Sequence, residues 1–355
     1  MSQVKHGGYG RELKSDVPIT DFSANINPLG VPEKLLSSIQ KSLSNLIYYP
    51  DVNYQNLRKN LAQLYQYDMN KIWVGNGSVD LIFNIIEILN SKNALLLAPT
   101  FGEYEHAFTK SGAEITHYFL KEENDFNLDV NELINFLKND HSIDTICLCN
   151  PNNPTGTLVN KFQLRQLTSY CNDNGIWLII DEAFNDFIAN KQDYTFAGEI
   201  NEDDSVVIIK SLTKYYAIPG LRLGMALLPN KQFLNTLIDY CEPWSVNTFA
   251  AELGPEVFND QDYAKKTADW LQNEKKFLEA ELPQIPNLKM YPSAVNYYLL
   301  NCDTFDLYQE LLDAGILIRN CDNYVGLTKG YYRIAVKSHA ENQLLVEQLN
   351  RFCRR

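Results

Sequence analysis

Nowhere in these 355 residues does an uninterrupted apolar run reach the roughly 18 residues that a membrane-spanning helix needs. The opening stretch, MSQVKHGGYG, has no apolar signal core either, so a soluble, cytoplasmic protein with no membrane partner is expected. Positive charge is scarce: 31 Lys and Arg stand against 44 Asp and Glu, a formal charge of −13. Polyanion binding needs clustered Lys and Arg, so nucleic acid is not an expected partner. Any anionic ligand must instead be gripped by a few cations gathered in one cleft. Close cysteine pairs of metal-ligand spacing are missing, and the seven cysteines are odd in number, which predicts reduced thiols and no metal site. Cys147 and Cys149, two apart in an apolar run, read as core residues. Repeats, low-complexity segments and flexible linkers are absent too.

What is present is enough apolar material for two domains, at 45% hydrophobic residues. Strand-like runs at residues 94–98, 145–149, 176–180 and 206–209 alternate with helix-like segments. That alternation predicts an α/β fold with a mostly parallel sheet. After PWSVN, residues 243–247, an amphipathic stretch to Leu282 leads into YPSAVNYYLLN, GILIRNC and YYRIAV, which read as strands of a smaller α/β domain. The expected division is an N-terminal arm at residues 1–35 joining the small domain, a large domain at 36–243 and a small C-terminal domain at 244–355.

Four motifs ask for one ligand. SLTKYYAIPGLRLG, residues 211–224, sets Lys214 among the hydroxyls of Ser211 and Thr213 and follows it with Arg222 between glycine turns. A Schiff-base lysine for an aldehyde cofactor such as pyridoxal 5'-phosphate needs that inventory: an amine for the imine, and hydroxyls with a guanidinium for the phosphate. IWLIIDEAF ends a doubly buried strand pattern in Asp181, at the strand end where open sheets bind ligands, so Asp181 can hold a protonated ring nitrogen. TICLCNPNNPTG runs a strand into a turn where Asn153 can donate to the ring's phenolic oxygen and where an Asn-Pro bond is a candidate for cis geometry. In WVGNGSVDLIFNII, Gly77 and Ser78 open a helix whose N-terminal N–H groups can face a phosphate.

Together these segments resemble the pyridoxal-phosphate-dependent fold type I family that includes aspartate aminotransferase, over nearly the whole chain. The resemblance implies that Lys214 is the lysine joined to the cofactor, Asp181 the pyridine partner, Asn153 the O3' contact, and Ser211 and Arg222 phosphate ligands. It further implies that Tyr104 stacks on the ring, and that Tyr49 reaches the phosphate of a neighbouring subunit, making the protein a homodimer with shared sites. Many members carry a tyrosine three residues after the pyridine aspartate, and this chain has Phe184 there. That leaves one donor fewer for O3'.

The family places an arginine near the C-terminus on the substrate's α-carboxylate, and Arg333 in YYRIAV matches it. Arg319 in ILIRNC offers a second fork, and two forks imply two anions. His6 before Gly7-Gly8, with Asn25 in SANINPLG, could join Arg319 around a phosphate. HGG, DFSANINPLG, PWSVN and ILIRNCDNYVGL narrow the resemblance to the threonine-phosphate decarboxylases. It implies decarboxylation of L-threonine O-3-phosphate to (R)-1-amino-2-propanol O-2-phosphate in cobalamin biosynthesis. The related histidinol-phosphate aminotransferases typically carry a glutamate where this chain has Ile26 and usually lack the HGG arm. O-phosphoserine as the substrate, or transamination of histidinol phosphate, stays open beside the main reading. A silent binding module is a third reading, against which the intact Lys214 counts.

Overall fold

A computed structural model describes residues 6–13, 17–304 and 306–354. Its centre is a seven-stranded sheet. From one edge to the other the strands are Ile72–Gly75, Gly224–Leu227, Val206–Ser211, Trp177–Asp181, Thr145–Cys149, Asn93–Ala98 and Glu114–Phe119. Gly224–Leu227 runs antiparallel to both neighbours, and the other pairings are parallel. The central strands read as continuous apolar runs because helices cover both faces: every residue of Thr145–Cys149 and of Val206–Ser211 is buried. Glu114–Phe119 is the half-exposed edge, and its mixed composition hid it from a search for apolar runs.

Local chemistry sets the helix boundaries. Helix Lys161–Asn174 starts with a reciprocal capping box between Asn160 and Gln163 and stops at Gly175 in the left-handed region. Helix Ser78–Leu89 turns Leu81, Ile82, Ile85 and Ile86 inward, the spacing of one buried face.

A four-stranded antiparallel sheet forms the second layer, in the order Arg319–Asn320, Tyr331–Ala335, Tyr297–Asn301, Lys289–Met290. Thr20–Asp21 pairs in parallel with Ile316–Leu317, and Ala335 N donates to Phe22 O, so the chain's beginning is sewn to its end. Two hydrophobic cores result. Val246, Val257 and Tyr263 belong to the first, whereas Leu271 and Leu278 belong to the second. Packing therefore passes from one core to the other within helix Gln261–Glu281, some residues beyond the composition change at Pro243. Among the described residues no helix is long and apolar enough to cross a membrane, and no cluster of His, Cys, Asp and Glu could hold a metal ion.

Candidate active site

A cavity of about 990 Å³ lies where the carboxyl ends of the parallel strands meet the small sheet and the N-terminal arm. Lys214, Asp181, Asn153, Tyr104, Arg319 and Arg333 all line it. They come from separate elements: Asp181 ends a strand, Lys214 and Asn153 lie in the turns after strands, Tyr104 is in the first turn of helix Glu103–Ser111, and Arg319 and Arg333 are on two strands of the small sheet.

Lys214 follows strand Val206–Ser211, and its Nζ donates to Ser211 Oγ at 3.0 Å. Burial lowers the amine's pKa, with Arg222 and Arg333 pushing the same way and Asp181 opposing. The Phe184 ring lies 5.7 Å from Nζ, so an apolar face stands where a hydroxyl was absent from the sequence.

Asp181 closes its strand almost fully buried. Its Oδ1 accepts from Ala183 N at 2.8 Å, and its Oδ2 accepts from the Tyr104 hydroxyl at 2.7 Å. Burial raises the carboxyl pKa while the Tyr104 hydrogen bond pulls it back. The expectation for Tyr104 was a stacking ring; its hydroxyl on Asp181 was not foreseen, because 77 residues separate the two.

Both Asn-Pro bonds of the 150–154 turn are cis, as is Ala98-Pro99. Asn153 Oδ1 accepts from Arg333 Nη1 at 2.5 Å and from the Tyr324 hydroxyl at 3.4 Å, which leaves its Nδ2 to donate. Cys149 borders the cavity, while its strand neighbour Cys147 is core alone.

At the other end of the cavity, Ser78 starts its helix beside Arg222, whose Nη2 reaches Asn76 O at 3.4 Å. Gly77 has a φ of 85°, and any Cβ there would run into the Arg222 guanidinium. Arg222 itself sits in the left-handed region at φ 60°, a conformation that bulky residues keep only where the surroundings impose it. Ser211 and Thr213 hydroxyls lie 2.8 Å apart nearby.

On the small sheet, Arg333 Nη2 donates to Ser23 O at 2.8 Å, and its Nε has no partner although it is buried. Arg319 lies over the Tyr324 ring at 5.2 Å and donates from Nη2 to Asn323 Oδ1 at 2.7 Å and from Nη1 to Asn320 O. Asn25 lines the cavity with a buried, unpartnered Oδ1. Its neighbour Asn27 faces away, bonded to Tyr215 O and Thr267 Oγ1.

His6 lines the cavity as well, and its Nε2 lies 2.8 Å from Oε1 of Glu103, an acid the sequence reading passed over. Tyr49 is 79% exposed, packs its ring against Trp244 at a tilt with centroids 4.6 Å apart, and does not line the cavity of its own chain.

The arrangement suits a flat aldehyde bearing a phosphate. It offers an amine whose pKa burial lowers, a buried carboxylate, and a helix N-terminus that closes on Arg222 only because residue 77 lacks a Cβ. Unpartnered buried atoms at Arg333 and Asn25 mark room for a further polar ligand.

Comparison with known proteins agrees with that geometry. Residues 17–349 match the model of the family described as aminotransferase class I and II. The chain is 37% identical over 351 residues to a threonine-phosphate decarboxylase of Salmonella typhimurium, covering 97% of this chain and 95% of that one. It is 32% identical to an adenosylcobalamin biosynthesis bifunctional protein of Leptospira interrogans, covering 98% of this chain and 41% of that longer protein. Among solved structures, the histidinol-phosphate aminotransferase of Clostridium acetobutylicum superposes with a TM-score of 0.86 at 29% identity, covering 94% of this chain and 98% of that one. The chain belongs to the aminotransferase class I and II family of pyridoxal-phosphate enzymes.

Proposed function

We propose that this chain is a cytoplasmic carboxy-lyase that converts L-threonine O-3-phosphate to (R)-1-amino-2-propanol O-2-phosphate and carbon dioxide in cobalamin biosynthesis. The observation that carries the reading is the pair of buried arginines. Arg319 and Arg333 are register partners across an antiparallel ladder and both line the cavity. Like charges directly opposite repel, so the pair is tolerable only where ligands bring negative charge to both. An amino acid with a carboxylate at one end and a phosphate at the other supplies it.

Pyridoxal 5'-phosphate, when bound, supplies an aldehyde for amines and a ring that takes up the electron pair of the bond broken at the α-carbon. In this reading Lys214 would carry it, Asp181 would keep its ring nitrogen protonated, Tyr104 would lie against it, and Asn153 Nδ2 would be its side-chain donor. Gly77, Ser78, Ser211 and Arg222 would hold its phosphate. Arg333 takes the substrate carboxylate with its free Nε edge, while Arg319, Asn25 and His6 take the substrate phosphate. Fixing both ends orients the bond between the α-carbon and the carboxylate for cleavage. With the substrate amine in place of its own on the cofactor, Lys214 Nζ would be free to deliver a proton to the α-carbon once carbon dioxide has left and the electron pair held by the ring returns there. Burial lowers the pKa of the Lys214 amine below the ordinary lysine value, which eases loss of its proton.

The proposed domain division is the one read from sequence: an arm at 1–35, a large domain at 36–243 and a small one at 244–355. The proposed assembly is a homodimer whose shared site is completed by Tyr49. Its exposed ring and the neighbouring exposed Leu46, Ile47, Tyr48 and Trp244 support it, since large apolar patches mark association surfaces.

The test is a product assay with L-threonine O-3-phosphate, O-phosphoserine and histidinol phosphate side by side. Carbon dioxide release from the first, with a preference over O-phosphoserine of roughly tenfold or more for one buried methyl group, supports the reading. No carbon dioxide, with amino transfer from histidinol phosphate to 2-oxoglutarate, replaces it by the aminotransferase.

A further inference from the structure

Glu103 opens helix Glu103–Ser111 and is 8% exposed, yet the chemistry above gives it no task. A carboxylate beside a phosphate site repels the ligand unless its charge is already offset. Both of its oxygens are taken: Oε1 by His6 Nε2 at 2.8 Å and Oε2 by His106 Nδ1 at 3.1 Å. The His6 hydrogen bond is the main reason its pKa lies below the ordinary carboxylate range, against the opposing effect of burial.

His6 arrives there because the arm behind it is pinned. Gly7 lies so close to Ser23 that a Cβ would overlap the Ser23 carbonyl. Gly8 N donates to Ser23 Oγ at 2.8 Å, and Gly10 N donates to Asp21 Oδ2 at 3.2 Å. The same Ser23 carbonyl accepts from Arg333. So the arm is riveted to the strand exit that pairs with the small sheet, and His6 carries it across to a helix of the large core. His6 and Arg319 both border the main cavity and a small neighbouring one of about 40 Å³.

We propose that Glu103 is a positioning residue for the substrate phosphate: it fixes His6 through Nε2 at the cavity mouth, leaves Nδ1 to donate to a phosphate oxygen, and latches the arm over the bound substrate. This deepens the proposed function and rests on it. An imidazolium donates from both nitrogens, so a phosphate completes a chain from Glu103 through His6 that an unphosphorylated amino acid leaves open.

The experiment uses the holoenzyme and Glu103→Gln. The Michaelis constant for L-threonine O-3-phosphate should rise about tenfold with kcat nearly unchanged, the loss of one charge-assisted contact. Inhibition by inorganic phosphate should weaken in step, affinity for pyridoxal phosphate should hold, and trypsin should cut after Arg11 sooner. His6→Ala should behave alike, and the double variant should be no worse than either, because both act through one contact. His106→Ala should leave the Michaelis constant unchanged.

Wild-type values of the Michaelis constant, phosphate inhibition and tryptic rate in Glu103→Gln overturn the proposal. If that variant fails to fold, His6→Ala with wild-type values overturns it. Should the wild type turn over none of the substrate, the functional reading falls by itself. The latch is then judged by inorganic phosphate alone: protection of Arg11 from trypsin in the wild type but not in Glu103→Gln upholds it, and equal behaviour sinks it.

Discussion

Arg319 and Arg333 face each other as direct Cα partners across two antiparallel strands, so both guanidinium groups leave the sheet on the same face and enter one cavity. Arg333 is held there by two neutral oxygens, Asn153 Oδ1 and Ser23 O. Its positive charge is thus kept for a ligand.

Separate roles give separate kinetic signatures. Arg333→Ala should cut kcat/KM by about 10²-fold or more, the cost of stranding a carboxylate, while cofactor affinity stays near wild type. Arg319→Ala should raise the Michaelis constant for the phosphorylated substrate more than it lowers kcat. Steady-state kinetics beside a cofactor titration checks both, and a loss of cofactor binding in Arg333→Ala would misplace that residue.

Gly77→Ala tests the phosphate cradle. The new Cβ must displace the Arg222 guanidinium, and an alanine held at φ 85° with ψ 165°, a region that essentially only glycine adopts, costs about 1–3 kcal/mol. Affinity for pyridoxal phosphate should fall about tenfold or more while the cofactor-free protein keeps its fold. Circular dichroism with an absorbance titration separates the two effects.

The pH dependence of the cofactor-free protein reports on Lys214. Burial lowers its pKa below the ordinary 10.5, so between the folded value and 10.5 the unfolded chain binds more protons than the native one. Raising the pH through that window therefore adds stability, and the full penalty of the buried charge applies below it. Lys214→Met should stabilise the cofactor-free protein most near neutral pH, with the gain fading as pH nears 10.5. Urea midpoints at the two ends check this; an equal gain at both would show an unshifted amine.

Beneath the cavity floor, Lys210 and Glu182 form a fully buried ion pair at 2.5 Å, with Thr195 Oγ1 and Phe196 N also donating to the carboxylate. Burial works against the lysine's charge, but Glu182 and Asp186 outweigh it and raise its pKa. Glu182→Gln should cost about 3–5 kcal/mol in denaturant unfolding by leaving that ammonium without its partner. Lys210→Met combined with Glu182→Gln should recover part of the loss.

The order of strands and helices was legible in the chain because burial writes itself as local periodicity. Thr145–Cys149 and Val206–Ser211 are buried throughout and apolar over Ile146–Cys149 and Val206–Ile209, since both their faces are covered. The grouping of Ser211, Thr213, Lys214 and Arg222, and of Gly77 with Ser78, was legible for a related reason: each set lies within a short stretch of chain, so sequence proximity already fixes its neighbourhood. The half-exposed edge strand Glu114–Phe119 and the antiparallel Gly224–Leu227 carry no such signature. What only the tertiary structure decided are the meetings across long loops: Tyr104 on Asp181, Asn153 on Arg333 across 180 residues, His6 on Glu103, and Arg319 in register with Arg333. No local pattern encodes them, because each depends on which strands pair and in what register, and that is settled by the burial of the whole sheet rather than by the residues that meet.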